Sequence, residues 1–338
     1  MNSHDAIVIG AGQSGLATAH ALLERGSRPL VLEAGDEPVG SWPHYYDSLT
    51  LFSPARYSAL PGLPFPGDPE RYPHRDEVVS YLRTYAARLN ADVRTGCRVT
   101  EVVHDSEYRV TTADGEIFTA PVVIAATGGF GNPHRPALPG LDAFPGTVLH
   151  AARYHCPEPF RGRRVVVVGA GNSAVQIAAE LAEHARVTLA TRKPVKFTAQ
   201  RPFGRDLHFW LDRTRLDRLP IGPWLPGELT TPVLDTGIYR AALDRRRPDR
   251  RQMFTAMEGS KLIWPDGQRE HVDSIILATG YRPDLPYLGA LGTDHDRGIS
   301  RRHRGLGFVG LEWQRSLSSA TLRGVGRDSV HVVRRLLR

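Results

Sequence analysis

Apolar residues along this chain fall into blocks, and the order of the blocks occurs twice. Ala6-Ile7-Val8-Ile9 is an apolar run of strand length. Leu16-Ala17-Thr18-Ala19-His20-Ala21-Leu22-Leu23 carries apolar residues at helical spacing, and Pro29-Leu30-Val31-Leu32-Glu33 reads as a second strand ending in an acid. Val165-Val166-Val167-Val168, Val175-Gln176-Ile177-Ala178-Ala179-Glu180-Leu181 and Val187-Thr188-Leu189-Ala190 repeat the series of strand, helix and strand. Both copies also close alike. Strand-like runs flank the turn signals Asp114-Gly115 and Asp266-Gly267, which predicts a hairpin in each copy. Each hairpin leads to a buried-strand run, 122–126 or 274–278, and then to Thr127-Gly128 or Thr279-Gly280. The expected class is α/β, with two parallel sheets that each carry a β-meander.

The turns between first strand and helix carry the chemistry. The first is Gly10-Ala11-Gly12-Gln13-Ser14-Gly15 and the second Gly169-Ala170-Gly171-Asn172-Ser173-Ala174. Gly10 allows a tight turn, Gly12 lets the backbone approach a pyrophosphate, and Gly15 lets helix pack on strand. The helix N-terminus offers free N–H groups and the positive end of its dipole. Glu33 follows Gly10 by 23 residues, where a carboxylate can accept hydrogen bonds from ribose hydroxyls. Arg192 follows Gly169 by the same 23 residues, with Lys193 next to it. An acid there would repel a 2′-phosphate, whereas arginine can pair with it bidentately. The second Rossmann-like unit is therefore expected to prefer NADPH over NADH. The alternative for Arg192 and Lys193 is a solvated strand end.

Composition narrows the setting. The 338 residues form an ordinary globular balance, and the length suggests two domains. The formal charge is +7, but the basic residues are scattered, and the densest run, 245–251, reads as a solvated loop or helix end. No nucleic-acid partner is expected; dinucleotide phosphates would use some of this charge. Cys97 and Cys156 are the only cysteines, and no CxxC pair exists. No apolar run reaches the length of a membrane span, and the first strand leaves no room for a signal peptide, so a cytoplasmic setting without integral membrane association is expected. The histidines lack metal-ligand spacing, so no metal is expected.

Further motifs carry a family resemblance. Phe144-Pro145-Gly146-Thr147-Val148-Leu149-His150 precedes the second unit. Gly40-Ser41-Trp42, the stretch from Tyr46 to Pro54, Tyr72-Pro73-His74-Arg75-Asp76-Glu77-Val78, and Ser318-Ser319-Ala320-Thr321-Leu322-Arg323-Gly324 complete the set. Together with the two glycine turns, they resemble the class B flavin-dependent monooxygenases, two-dinucleotide-binding flavoproteins. Small bacterial members, some from arsenic- or metal-resistance loci, are the most similar in pattern.

The resemblance implies FAD on the first unit, held by Gly10, Gly12, Ser14, Gly15, Glu33, Gly40, Ser41, Trp42, Thr127, Gly128 and Thr321. It implies NADPH on the second, held by Gly169, Gly171, Asn172, Ser173, Arg192, Lys193, Thr279 and Gly280. Hydride transfer would reduce the flavin, and O2 would add to it as a C4a-(hydro)peroxyflavin. One oxygen would then pass to a small substrate with a nucleophilic nitrogen, sulfur or similar heteroatom. Trp42, Phe52, Ser53 and His150 are the candidate catalytic residues. Phe52 or Ser53 stands near the place where many N- and S-oxygenating members have asparagine, and Gly310-Leu311-Glu312 stands where the family often has Gly-Asp. A flavin-dependent NADPH reductase or oxidase without oxygenation therefore stays open. Tyr154 replaces the last aromatic of the Baeyer–Villiger fingerprint, which disfavours ketone oxygenation. A disulfide reductase would need the cysteine pair that is missing. The expected organisation is an FAD domain from 1–154 and 271–338, with an NADPH domain of 155–270 inserted; a homodimer is compatible with it. Residues 194–232 read either as a pocket lid or channel or as a plain irregular connection.

Overall fold

The valine- and isoleucine-rich runs become fully buried strands, because each is covered on both faces. A computed structural model describes residues 2–225 and 232–338. Its principal strands are β1 (Ala6–Ile9), β2 (Pro29–Leu32), β3 (Asp92–Arg94), β4 (Val123–Ala125), β5 (Thr147–His150), β6 (Arg164–Val168), β7 (Arg186–Thr191), β8 (Asp249–Gln252), β9 (Ser274–Leu277) and β10 (Leu306–Phe308). The helices are α1 (Gln13–Leu23), α2 (Arg75–Arg88), α3 (Asn172–Leu181), α4 (Leu207–Thr214), α5 (Ile238–Asp244) and α6 (Leu322–Leu336).

Two sheets organise the molecule. In the first, β3, β2, β1, β4 and β10 lie side by side and parallel, so both ends of the chain build it. In the second, β8, β7, β6, β9 and β5 are all parallel. Each unit has its three-stranded antiparallel meander: Val99–His104, Tyr108–Thr112 and Ile117–Ala120 in the first, Ala256–Glu258, Lys261–Ile263 and Arg269–His271 in the second. The expected class of two Rossmann-like units is the fold observed.

Strand alternation decides what each face meets. Ala6 and Val8 of β1 join the cluster formed with Leu16 and Leu22 of α1 and with Val325, Val332 and Val333 of α6. Ile7 and Ile9 point the other way, into the meander with Val110 and Phe118. Leu16 is fully buried at the helix–sheet contact. Leu16→Ala should destabilise the protein by about 2–5 kcal/mol, read as a lower urea midpoint.

Three expectations need correction. The helices start at Gln13 and Asn172, not at Leu16 and Val175, because their polar first turns carry no apolar periodicity. The second sheet also reaches beyond residues 155–270. β5 and β9 pair through Thr147–Ser274, Val148–Ile275, Leu149–Ile276 and His150–Leu277, so this sheet spans the linker before it and the strand after it. β5 lies at the sheet edge, where a half-buried strand lacks a long apolar run. Finally, part of the basic run 245–251 is not loop. Asp249–Gln252 forms the opposite edge strand, with Arg251 paired to Asp266 and lying over the Trp264 ring. Charge on an exposed edge discourages pairing with another chain.

The described part of residues 194–232 is not wholly irregular. Phe197–Ala199 pairs in parallel with Val233–Asp235, and α4 lies between them in sequence. Residues 226–231 of that segment lie outside the described residues. No described helix is long and apolar enough to cross a membrane.

Candidate active site

The two glycine turns have the same construction. Gly10 has φ +98°, and a Cβ there would meet the Ala126 carbonyl oxygen at 2.9 Å. Gly169 has φ +146°, and its Cβ would meet the Ala278 carbonyl oxygen at 2.3 Å. Each first turn is thus pressed against the strand that ends at Thr127-Gly128 or Thr279-Gly280. Gly15 is the packing glycine, since a Cβ would sit 1.7 Å from the Gly10 oxygen. Behind the turns, α1 and α3 begin on Gly12 and Gly171, with no side-chain cap and no acid in the first turn. α4 and α6 are capped by Asp206 and Thr321. The two glycine-led helices therefore keep their N-terminal N–H groups and positive dipole ends for another acceptor.

Residues around the first turn converge on it. Gly40, with φ +57°, abuts Gly12, so the Gly40-Ser41-Trp42 loop lies on the turn. Glu33 is buried; its Oε2 accepts from the Ala11 N–H at 2.6 Å and its Oε1 from the Gly35 N–H at 2.9 Å. Gln13 joins two predicted residues that are far apart in sequence. Its Oε1 accepts from Trp42 Nε1 at 2.9 Å, and its Nε2 donates to the Ala320 carbonyl at 2.7 Å, beside Thr321. Gly310, with φ +92°, faces Ser14, whose Oγ a Cβ there would meet at 2.2 Å. Thr127 donates to the Asp284 carbonyl at 2.7 Å, and Gly128 accepts from the Asp284 N–H at 2.9 Å.

The second turn is more open. A Cβ on Gly171 would meet nothing within 4 Å, and the buried Asn172 Oδ1 has no hydrogen-bond partner. Ser173 lies against the Tyr46 hydroxyl. Arg192 and Lys193 are exposed at the end of β7. His134 lies close to Arg192 and Arg282; burial lowers its pKa first, and the two guanidinium groups lower it further. Thr279 donates to the His134 carbonyl, which fixes the second exit turn against this cationic rim.

Between the turns runs a chain of rings. Trp42 lies 5.5 Å from Tyr45, Tyr45 lies 4.7 Å from Phe130, and Phe130 stacks at 5.3 Å on Tyr281, the residue after Gly280. Burial raises the Tyr45 hydroxyl to about 12, with the nearby Glu312 charge adding to it, so Tyr45 is neutral at physiological pH. The Glu312 carboxyl is itself raised by burial.

The four candidate catalytic residues separate. Trp42 stands at the first turn, bonded to Gln13 and beside Tyr45. Phe52 is 38% exposed, and Ser53 Oγ is engaged with Ser58 Oγ at 2.8 Å. His150 is committed elsewhere. Its Nδ1 accepts from the Ala152 N–H at 3.1 Å, so the proton belongs on Nε2, 3.1 Å from the Gly280 carbonyl. Burial lowers its pKa, the Gly280 hydrogen bond opposes this, and His134 adds to it. His150 thus pins the second exit turn and has no nitrogen left for proton transfer. Gln13, Tyr281 and Asp206 were not legible as site residues, because their partners are distant in sequence.

Asp206 is the best-connected buried acid. Burial works to raise its pKa, yet hydrogen bonds from His208, Tyr72 and Gln200 bring it below the usual aspartate value. A lowered carboxyl adds stability above its unfolded-state pKa, and that stability is lost as pH falls through the folded value. Melting temperature should therefore drop more steeply below about pH 4 in the wild type than in Asp206→Asn. Parallel curves for the two proteins would contradict this.

Residues 7–219 match the family model described as pyridine nucleotide-disulphide oxidoreductase. The indole-3-pyruvate monooxygenase YUCCA1 of Oryza sativa is 34% identical over 83% of this chain and 77% of its own length. The chain belongs to the flavin-dependent monooxygenases of this family. An uncharacterized oxidoreductase, CzcO-like, of Geobacillus kaustophilus is 30% identical over 98% of both chains. The solved flavin-containing monooxygenase of Stenotrophomonas maltophilia superposes with a TM-score of 0.88 at 32% identity, over 100% of this chain and 99% of that one. The protein is accordingly an FAD- and NADPH-dependent oxidoreductase.

Proposed function

We propose that this flavin monooxygenase binds FAD on the first glycine turn and NADPH on the second, and oxygenates a small substrate at a nucleophilic nitrogen, sulfur or similar heteroatom. One observation carries the reading: the rings Trp42, Tyr45, Phe130 and Tyr281 run from the first turn to the exit of the second. The redox ends of two nucleotides extending from those turns would meet there.

The residues fit both groups. Two uncapped helix N-termini suit two pyrophosphates. The open space at Gly171 and the orphaned Asn172 oxygen suit a polar ligand at the second turn. Glu33 stands where a ribose diol is read, and its hold on Ala11 keeps the carboxylate aimed at the turn. Arg192, with His134 and Arg282 beside it, suits a 2′-phosphate. Bound FAD and NADPH supply the hydride and oxygen chemistry. The chain's own tasks are to orient the two nucleotides, to exclude water with the aromatic wall, and to keep Tyr45 protonated as a neutral donor. A soft heteroatom needs no general base from the protein, which agrees with His150 being occupied. Two unpaired cysteines fit a reducing cytoplasm.

Phe52 favours one alternative, an NADPH oxidase that releases peroxide, because an apolar ring stands where the resemblance places a hydrogen-bonding asparagine. Measuring oxygenated product and peroxide per NADPH with thioether and amine substrates separates the two.

A further inference from the structure

The stretch after β7 leaves the second unit, touches the first in two places and returns. Its base is the parallel pair Phe197–Ala199 and Val233–Asp235, with Phe197 and Val233 packed into the core of the second unit. Gln200 and Asp206 then meet the first unit. Asp206, only 4% exposed, has every acceptor direction used. Its Oδ1 accepts from the His208 N–H at 2.7 Å and from His208 Nδ1 at 2.8 Å. Its Oδ2 accepts from the Tyr72 hydroxyl at 2.6 Å and from Gln200 Nε2 at 2.7 Å. Gln200 Nε2 also donates to the Phe52 carbonyl at 2.9 Å. The His208 ring, held by Asp206, lies near-parallel to both Phe52 and Tyr57, with each centroid 6.1 Å away.

The second contact is built the same way. Asp217, 3% exposed, accepts from Arg323 Nε of α6 at 2.6 Å, and its carbonyl accepts from Ser318 Oγ at 3.0 Å. The Arg323 guanidinium lies over the Tyr57 ring at 5.2 Å. Two buried acids of one excursion thus hold groups, His208 and Arg323, that both lie against the Tyr57 ring.

A buried carboxylate is costly unless its acceptors are filled, and these are filled by donors from both units. Separating the units would take the Tyr72 hydroxyl from Asp206 and the Arg323 guanidinium from Asp217, leaving each buried acid with an unfilled acceptor, which makes the joint a specific one. We propose that residues 200–218 form a strap whose buried acids, Asp206 and Asp217, position the second unit on the first, and that Asp206 thereby sets the approach of NADPH to FAD. This role deepens the proposed function and rests on it. Asp206 acts through the Phe52–Tyr57 turn and is a positioning residue.

The test uses the FAD-loaded full chain with Tyr72→Phe as the mild variant and Asp206→Asn as the strong one. Hydrogen exchange without NADPH reads the strap alone. Exchange in peptides covering 52–58 and 200–215 should rise about tenfold in Asp206→Asn, while the two glycine turns stay protected. Anaerobic stopped-flow reduction then reads positioning. The limiting rate should fall about tenfold in Asp206→Asn and less in Tyr72→Phe, with flavin content and NADP⁺ affinity held within twofold. A merely structural role would lower flavin content and rate together, and that result overturns the proposal. Unchanged exchange in both peptides, or an unchanged limiting rate despite raised exchange, overturns it as well. If NADPH fails to reduce the wild type, the functional reading falls, and the exchange arm still decides whether the strap exists.

Discussion

Gly12→Val should yield a folded protein that purifies without FAD. Gly12 has an ordinary φ of −73°, so valine is not excluded by the backbone. The obstacle is space. An added Cβ lies 3.5 Å from Gly40 Cα, and the two further methyls of valine extend into the gap between the turn and the Gly40-Ser41-Trp42 loop. That gap is where a pyrophosphate would approach the backbone. Beyond its chain neighbours, no other atom lies within 4 Å of that Cβ, so the scaffold below it, β1, α1 and β2, should keep its fold. Loss of flavin absorbance with retained far-ultraviolet circular dichroism is the expected result, and a normal flavin content would contradict the placement of FAD. Gly15→Ala provides the contrast. Its Cβ would sit 1.7 Å from the Gly10 oxygen, so this variant should lose the fold itself.

Arg192→Ala should raise KM for NADPH about 10- to 100-fold and leave KM for NADH within about twofold. A charge-assisted bidentate pair with a phosphate is worth about 1.5–3 kcal/mol, which corresponds to that range. Arg192 is exposed, so its removal leaves no buried hole and should not affect stability. His134 and Arg282 lie close by and would retain part of the attraction, which sets the lower end of the range. Equal changes for both nucleotides would refute the 2′-phosphate role.

What was legible in the sequence was what local physics dictates. The glycine turns, the residues 23 positions after each, and the two hairpins follow from short-range sterics and turn chemistry, and all of these elements appear in the fold. The helix starts were missed because Gln13-Ser14-Gly15 and Asn172-Ser173-Ala174 are small or polar and carry no apolar periodicity. β5 was missed as a strand of the second sheet because an edge position with half-buried residues carries little apolar signal. The strap was invisible for a different reason. Asp206 meets Tyr72, which is 134 residues away, and no spacing rule connects them. His150 looked chemically available until both of its nitrogens were seen to hold backbone groups.

NADPH-driven oxygenation of a soft heteroatom can be read directly from the fate of the reducing equivalents. The most direct test reduces the FAD-loaded protein with NADPH under anaerobic conditions, then admits oxygen with a thioether or amine present. NADPH consumed, oxygenated product and hydrogen peroxide are measured together. Product nearly equal to NADPH consumed, with little peroxide, is the expected result. Peroxide equal to NADPH for every substrate would contradict it.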